Sequence, residues 1–297
     1  MPYPNFALVR SSKQVQEKPI VTDYLTFAVD LNAPETVSVC DELPLWSAMF
    51  GLLLLRHVSM SKGIQVLDVG CGTGFPLLEL AQRLGSTSTV YGIDPWETAI
   101  NRAKLKAQLW KVHNVHINKG DAAAMPFPDG QFDLIVSNLG INNFDDPEAV
   151  LAECWRVSKP SARMVLTTNL KGHMQEFYAV FESTLLDFGN ERAVNALKRH
   201  VDHRATLEGI AALFKRTGFR LAKVHEESAT LRFVDGSAFL RHYFIELAFL
   251  DAWKSVLDAG EREAVFARLE ANLNNLAKAS ELALTIPMAY IEGERVQ

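Results

Sequence analysis

The sequence predicts an α/β fold: a doubly wound, mostly parallel sheet of seven strands with helical additions. Three observations point there. Short apolar runs alternate with helix-length stretches from residue 64 to 169, a glycine-rich turn follows the first of these runs, and a long helical stretch at 236–279 separates the last two strand-like runs. Such alternation implies βαβ units, and hence a parallel sheet with helices on both faces.

The elements follow in order. IQVLDV (64–69) is a short, mainly apolar run, as a strand buried on both faces should be. A helix is expected over 75–84, a second strand over TVYGID (89–94) and a helix over 96–111. VHIN (115–118) is the third strand and FDLIVSN (132–138) the fourth, with Pro-Asp-Gly at 128–130 as the turn before it. Asp146 followed by Pro147 marks a helix start, a capping residue and then proline in the first turn. That helix runs to about residue 157, and RMVLTTN (163–169) is the fifth strand. Helices over 173–188, 190–200 and 206–217 precede a sixth strand over 219–227. Helices over 236–258 and 261–279 then precede a seventh strand over 286–293.

This divides the chain into 1–60, an N-terminal arm (1–20) and apolar helical cap (43–58); 61–235, the sheet-building core; and 236–297, a helical insertion with the closing strand. The cap and the insertion are expected as a lid over the carboxyl edge of the sheet, with a dimer interface as the alternative use of their apolar surface.

The bulk composition narrows the function. Of 297 residues, 48% are hydrophobic and 22% charged, enough apolar content for a sizeable core. The net charge of −5 lacks the basic footprint of a nucleic-acid binder, so no nucleic-acid partner is expected. Three scattered cysteines, Cys40, Cys71 and Cys154, suit a reducing compartment. With no signal-peptide pattern and no apolar run of membrane-spanning length, the expectation is a cytoplasmic protein. A homodimer is left open.

The chemistry centres on VLDVGCGTG (66–74). A glycine turn between strand and helix ordinarily greets a phosphate. Here Asp68 stands at its lip and position 75 is Phe, where a dinucleotide fingerprint has Gly or Ala. A carboxylate ~4 Å from a pyrophosphate would cost about 4 kcal/mol at an effective dielectric of 20. A cationic ligand without phosphate removes the conflict, and S-adenosylmethionine is one. Gly70, Cys71, Gly72 and Gly74 would let the backbone approach it, with Asp68 near its amine. Asp94 ends strand two, where a carboxylate can accept both ribose hydroxyls, and Pro95 and Trp96 follow as candidate packing for the adenine. Asp121 and Ala122 follow strand three at the adenine amino group, and Asn138 ends strand four beneath the cofactor. Each acid also has a structural reading: Asp68 and Asp94 as caps, Asp121 as a turn former, Asn138 as a strand end.

VLDVGCGTG, YGID, GDAAAMPFPDGQFDLIVSN and LAECWRVSKPSARMVL together resemble the successive motifs of class I S-adenosylmethionine-dependent methyltransferases. The closest likeness is to the branch containing the ubiquinone/menaquinone-biosynthesis C-methyltransferases. The resemblance covers 64–170, and 206–233 loosely; it implies a Rossmann-like methyltransferase fold and methyl transfer by direct displacement. KPSAR (159–163) departs from the Lys-Pro-Gly-Gly usual there, which implies a differently shaped turn before strand five. SNLG after strand four, without an Asn-Pro-Pro-Tyr-like stretch, together with the acidic charge, favours a small-molecule acceptor. The rivals are a silent S-adenosylmethionine-binding partner or regulator and a nicotinamide oxidoreductase.

No catalytic base and no metal site are identified. Cys71 and Cys154 read as packing residues. His200 and His203 have ligand spacing, but charged neighbours suggest a solvated helix end. His57, His173 and His242 are further candidates for a base, and Tyr24, Trp46, Tyr243 and Tyr290 read first as core.

Overall fold

The computed structural model describes residues 22–42 and 45–296. The predicted arm at 1–20, and residues 43–44 of the predicted cap helix, lie outside them. The strands are β1 (Gln65–Val69), β2 (Thr89–Asp94), β3 (Val115–Lys119), β4 (Phe132–Asn138), β5 (Ser158–Asn169), β6 (Phe219–Phe233) and β7 (Leu282–Arg295). The helices before the last hairpin are α1 (Pro34–Glu42), α2 (Leu45–His57), α3 (Leu77–Leu84), α4 (Glu97–Leu109), α5 (Pro147–Val157), α6 (Gln175–Asp187), α7 (Glu191–Asp202) and α8 (Leu207–Arg216). Between β6 and β7 come α9 (Gly236–Leu240), α10 (Tyr243–Ile245), a π-helical turn (Glu246–Leu250), α11 (Asp251–Lys254) and α12 (Arg262–Leu276).

One seven-stranded sheet has the order β3-β2-β1-β4-β5-β7-β6. Strands β1 to β5 pair in parallel, and β7 runs antiparallel between β5 and β6. Successive strand residues divide between two apolar layers, as period-two side chains must. Val66, Leu134 and Val136 join α2 and α3 on one face, while Leu67, Ile135 and Met164 join α5 and α8 on the other. The chain is therefore doubly wound. Strand order reverses between β1 and β4, which places the ligand crevice at their carboxyl ends.

Several boundaries differ from the sequence expectation. β5 begins at Ser158, because KPSAR is absorbed into the strand as an irregular register between Phe132 and Leu134, with Ser161 at φ 63°. β6 and β7 each extend by about six residues beyond the parallel strands. Glu227 and Asn169 both pair with Met288, so 228–233 and 282–287 continue past the carboxyl edge for roughly 20 Å. Ala229, Leu231 and Phe233 face inward while their neighbours face solvent. The predicted helix over 236–258 is broken, with Asp235 capping a first short piece through the Ala238 amide at 2.7 Å.

The projecting hairpin carries the insertion. Phe177, Phe181, Phe239, Trp253 and Phe266 form its buried centre, with Phe177 and Trp253 rings 4.2 Å apart. The apolar helix predicted as a cap is chiefly a core helix. Phe50, Leu53 and Leu54 of α2 are buried against the sheet, and α2 lies along β4, β5 and β7. Its approach is so close that a Cβ on Gly51 would lie 2.2 Å from the Phe75 ring. No single helix among the described residues is long and apolar enough to cross a membrane.

Candidate functional site

The glycine turn leaves β1 directly after Val69. Gly70, Gly72 and Gly74 have φ of 77°, 49° and 100°, the left-handed region that glycine enters without a Cβ penalty. Ile93 O accepts from the amides of Gly70 (2.9 Å) and Cys71 (3.2 Å), which fixes the turn to the end of β2. A Cβ on Gly72 would meet nothing within 4 Å, so the turn opens there onto space a ligand can enter. Gly70 instead faces a neighbouring loop, its Cβ position 3.5 Å from Gly140 Cα.

Asp68 is fully buried beside this turn, and neither carboxylate oxygen meets a donor at hydrogen-bonding geometry. Burial, then the charge of Asp94, pushes its pKa up to about 8, with the Leu77 amide pulling the other way. Buried carboxyls in folded proteins are almost always satisfied, so this one is built to meet something the protein itself does not supply. Asp94 is differently placed. Its Oδ2 accepts from the Gly72 amide at 2.9 Å and its Oδ1 from the Trp96 amide at 2.8 Å. It therefore ties the turn to the start of α4, while each oxygen keeps a further lone pair. Burial raises its pKa, opposed by those two amides.

The remaining predicted residues fall into two groups. Asp121 is exposed at the end of β3, where its Oδ1 accepts from the Ala123 amide at 2.8 Å; Pro95 is exposed on the same edge. Trp96 is half-buried, and its indole N–H donates to Leu31 O at 2.9 Å. The other group faces inward. Ala122 is buried in the α5-side layer. Cys71 is buried, its Sγ 2.8 Å from where a Cβ on Gly92 would sit, and burial holds its thiol far above the usual range. Asn138 donates to Ser47 O at 3.1 Å and accepts from Thr167 Oγ1 at 2.7 Å, stapling α2 to β4 and β5.

One element around the site carries no sequence signal. Residues 22–42 run as a strap from the insertion to α4. At one end Tyr24 packs edge-on against Phe266, the Arg241 guanidinium lies 4.8 Å over the Tyr24 ring, and Arg241 pairs with Asp23 at 3.1 Å. At the other, Asn32 O accepts from Thr98, and Asp41 accepts from Arg102 at 2.9 Å and Lys106 at 2.6 Å. Thr73 of the glycine turn also bonds Asp41, and these partners hold its carboxyl below the usual range against the opposing effect of burial.

The histidines have separate environments. His173 is buried between Trp46 and Phe249, with both ring nitrogens unpartnered, and burial pushes its pKa down to about 3. His200 meets the Tyr178 hydroxyl at 3.1 Å. Among the described residues no group of three metal-ligating side chains is gathered. Tyr290 is core, its hydroxyl donating to Glu292.

A profile for a methyltransferase domain matches residues 60–218. The chain belongs to the methyltransferase domain family. It is 35% identical over 140 residues to a demethylmenaquinone methyltransferase of Geobacillus stearothermophilus, covering 46% of this chain and 60% of that protein. It is 30% identical over 174 residues to the enzyme so named from Anoxybacillus flavithermus, covering 56% and 73%. The fold is similar to that of the YcgJ protein of Bacillus subtilis, with TM-score 0.55, 17% identity and 84% and 99% of the two chains covered. It is also similar to the [4+2]-cyclase SpnF, with TM-score 0.51, 19% identity and 84% and 81% covered. A fold neighbour named as a cyclase shows that the fold alone does not fix the reaction. The family match supports methyl transfer and favours an enzyme over a silent binding protein. The methyl donor of such enzymes is S-adenosylmethionine. The unsatisfied Asp68 carboxyl and the open space over Gly72 fit a cationic ligand of this kind.

Proposed function

We propose that this methyltransferase acts on a small-molecule acceptor and holds its cofactor along the carboxyl ends of β3, β2, β1 and β4. The observation that carries the reading is Asp68, a wholly buried carboxyl at the lip of a glycine turn, with only the Leu77 amide acting on it and neither oxygen closing a hydrogen bond of full geometry. When bound, S-adenosylmethionine supplies a methyl group on a sulfonium, which departs as a neutral thioether as the acceptor atom bonds the methyl carbon. The protein's part is alignment and exclusion of water. Asp68 ionises against the ligand's ammonium. Asp94 uses its remaining lone pairs for the ribose hydroxyls while its backbone bonds hold the turn rigid. Asp121 and Ala122 border the adenine on one side, and Pro95 and Trp96 on the other. Asn138 serves by holding α2 in place beneath the site, as its side-chain bonds are already made.

In this reading residues 61–235 form the cofactor-binding core. The insertion within 236–297 and the strap at 22–42 close over it, a division of labour favoured by the strap's anchorage at both ends. Hydrogen exchange tests site and closure together. With S-adenosylhomocysteine, amides in 70–74, 94–96 and 22–42 should gain protection, and with NAD they should not. Protection of the turn by NAD, or none there with S-adenosylhomocysteine, would contradict the reading.

A further inference from the structure

Beside the glycine turn lies a cavity of about 540 Å³. One wall is the loop after β4, with Ile141 and Phe144; the opposite wall follows α7, with His200 and Arg204. The Phe144 ring borders both the cavity and the turn: it lines the cavity, its Cε1 is 4.0 Å from the Cβ position of Gly70, and its Cζ is 3.0 Å from that of Gly140. The cavity therefore lies one ring away from Gly70, on the β4 side of the switch point.

Its charge is unusual. Arg204 is half-buried, its Nε is buried without a hydrogen bond, and among the described residues no carboxylate lies within ion-pairing distance of it. Its guanidinium makes one long bond, from Nη2 to the Tyr178 hydroxyl at 3.4 Å. The nearest candidate in sequence, Asp202, is taken by Lys171 at 2.6 Å, and Asp145 stands exposed at the rim. The Tyr178 hydroxyl also accepts from the Trp253 indole at 3.1 Å. With both its lone pairs so used, its own proton goes to His200 Nε2, which leaves His200 Nδ1–H as a donor. A planar guanidinium with free N–H groups matches a carboxylate. Phe144, Ile210 and Leu213 offer an apolar body its wall.

We propose that this cavity takes the methyl acceptor, and that the acceptor carries a carboxylate held by Arg204 with His200 as second donor. This rests on the methyl-transfer reading above. The probes are phenylacetate and its neutral counterpart phenylacetamide, titrated into the full chain with and without S-adenosylhomocysteine and followed by calorimetry. Wild-type protein should bind the acid at least tenfold more tightly than the amide. Arg204→Gln should lose at least tenfold for the acid, Arg204→Lys less, and both should keep wild-type affinity for S-adenosylhomocysteine. Equal binding of acid and amide, no binding of the acid, or an undiminished acid preference in Arg204→Gln would overturn the proposal. The arms are separable: failure of S-adenosylhomocysteine to bind sinks the cofactor reading, whereas the acid–amide comparison without it decides the cavity.

Discussion

Asp68→Asn should stabilise the ligand-free protein at neutral pH and, in the same molecule, weaken the cofactor by about 1.5–3 kcal/mol, the range for a lost bond to a charged group. The two effects share one cause. In the folded chain the Asp68 carboxyl keeps its proton to about pH 8, while an unperturbed one releases it near 3.8. Between these values the folded state binds a proton that the unfolded state does not, so stability falls as pH rises. The contribution is fully present below pH 3.8 and lost by the time pH passes 8. At pH 7, close to the upper of these two values, most of that contribution is already gone. Asparagine removes this dependence. Melting temperatures from pH 5 to 9 should show the mutant's advantage growing up to about pH 8 and levelling off beyond it, and a mutant less stable than wild type at pH 8 would contradict the account. A bound ammonium reverses the balance by favouring the ionised carboxylate. Cofactor binding below pH 8 should therefore release a proton at Asp68.

Asp94→Ala should cost cofactor affinity about 1.5–3 kcal/mol or more through the lost ribose contacts. The structure adds a second consequence. Asp94 also accepts from the Gly72 and Trp96 amides, so its removal loosens the turn and the first turn of α4. Because the site is partly open to solvent, water can replace it there, and the melting temperature should fall only modestly. Asp94→Asn, which keeps one acceptor oxygen, should fall between wild type and alanine in both readouts. Unchanged affinity for S-adenosylhomocysteine in a folded alanine mutant would remove Asp94 from the ribose.

The parts of this molecule that can be read from its sequence are those whose cause is local. β2 and β4 have the expected bounds because TVYGID and FDLIVSN are buried strands between turn signals. Asp146 caps α5 as expected, accepting from the amides of Glu148 and Ala149. The glycine turn is legible because left-handed backbone demands glycine. The far halves of β6 and β7 do alternate, with apolar residues at 229, 231 and 233 and at 282, 284 and 286, but they pair only with each other beyond the sheet, and nothing local marks how far such a hairpin runs. α2 reads as a lid in sequence because an apolar helix announces that it is covered, not by what; Phe50 and Leu53 are covered by the sheet. The strap is invisible for the same reason: Tyr24 needs Phe266 and Asp41 needs Arg102, partners far away in sequence. Asn138 stands out as a strand-end polar residue, but its bonds to Ser47 and Thr167 depend on elements that only the fold brings together. Arg204 has no sequence signal at all, since only structure shows a cation to be without a counter-ion.

The most direct measurement is methyl transfer itself. The purified chain would be incubated with S-adenosylmethionine labelled in its methyl group and with the small-molecule fraction of a cell extract. The account predicts label in a small organic product, S-adenosylhomocysteine formed in equal amount, and a fall in both in Asp68→Asn at limiting S-adenosylmethionine. No S-adenosylhomocysteine above the protein-free control, or label found only in protein or nucleic acid, would contradict it.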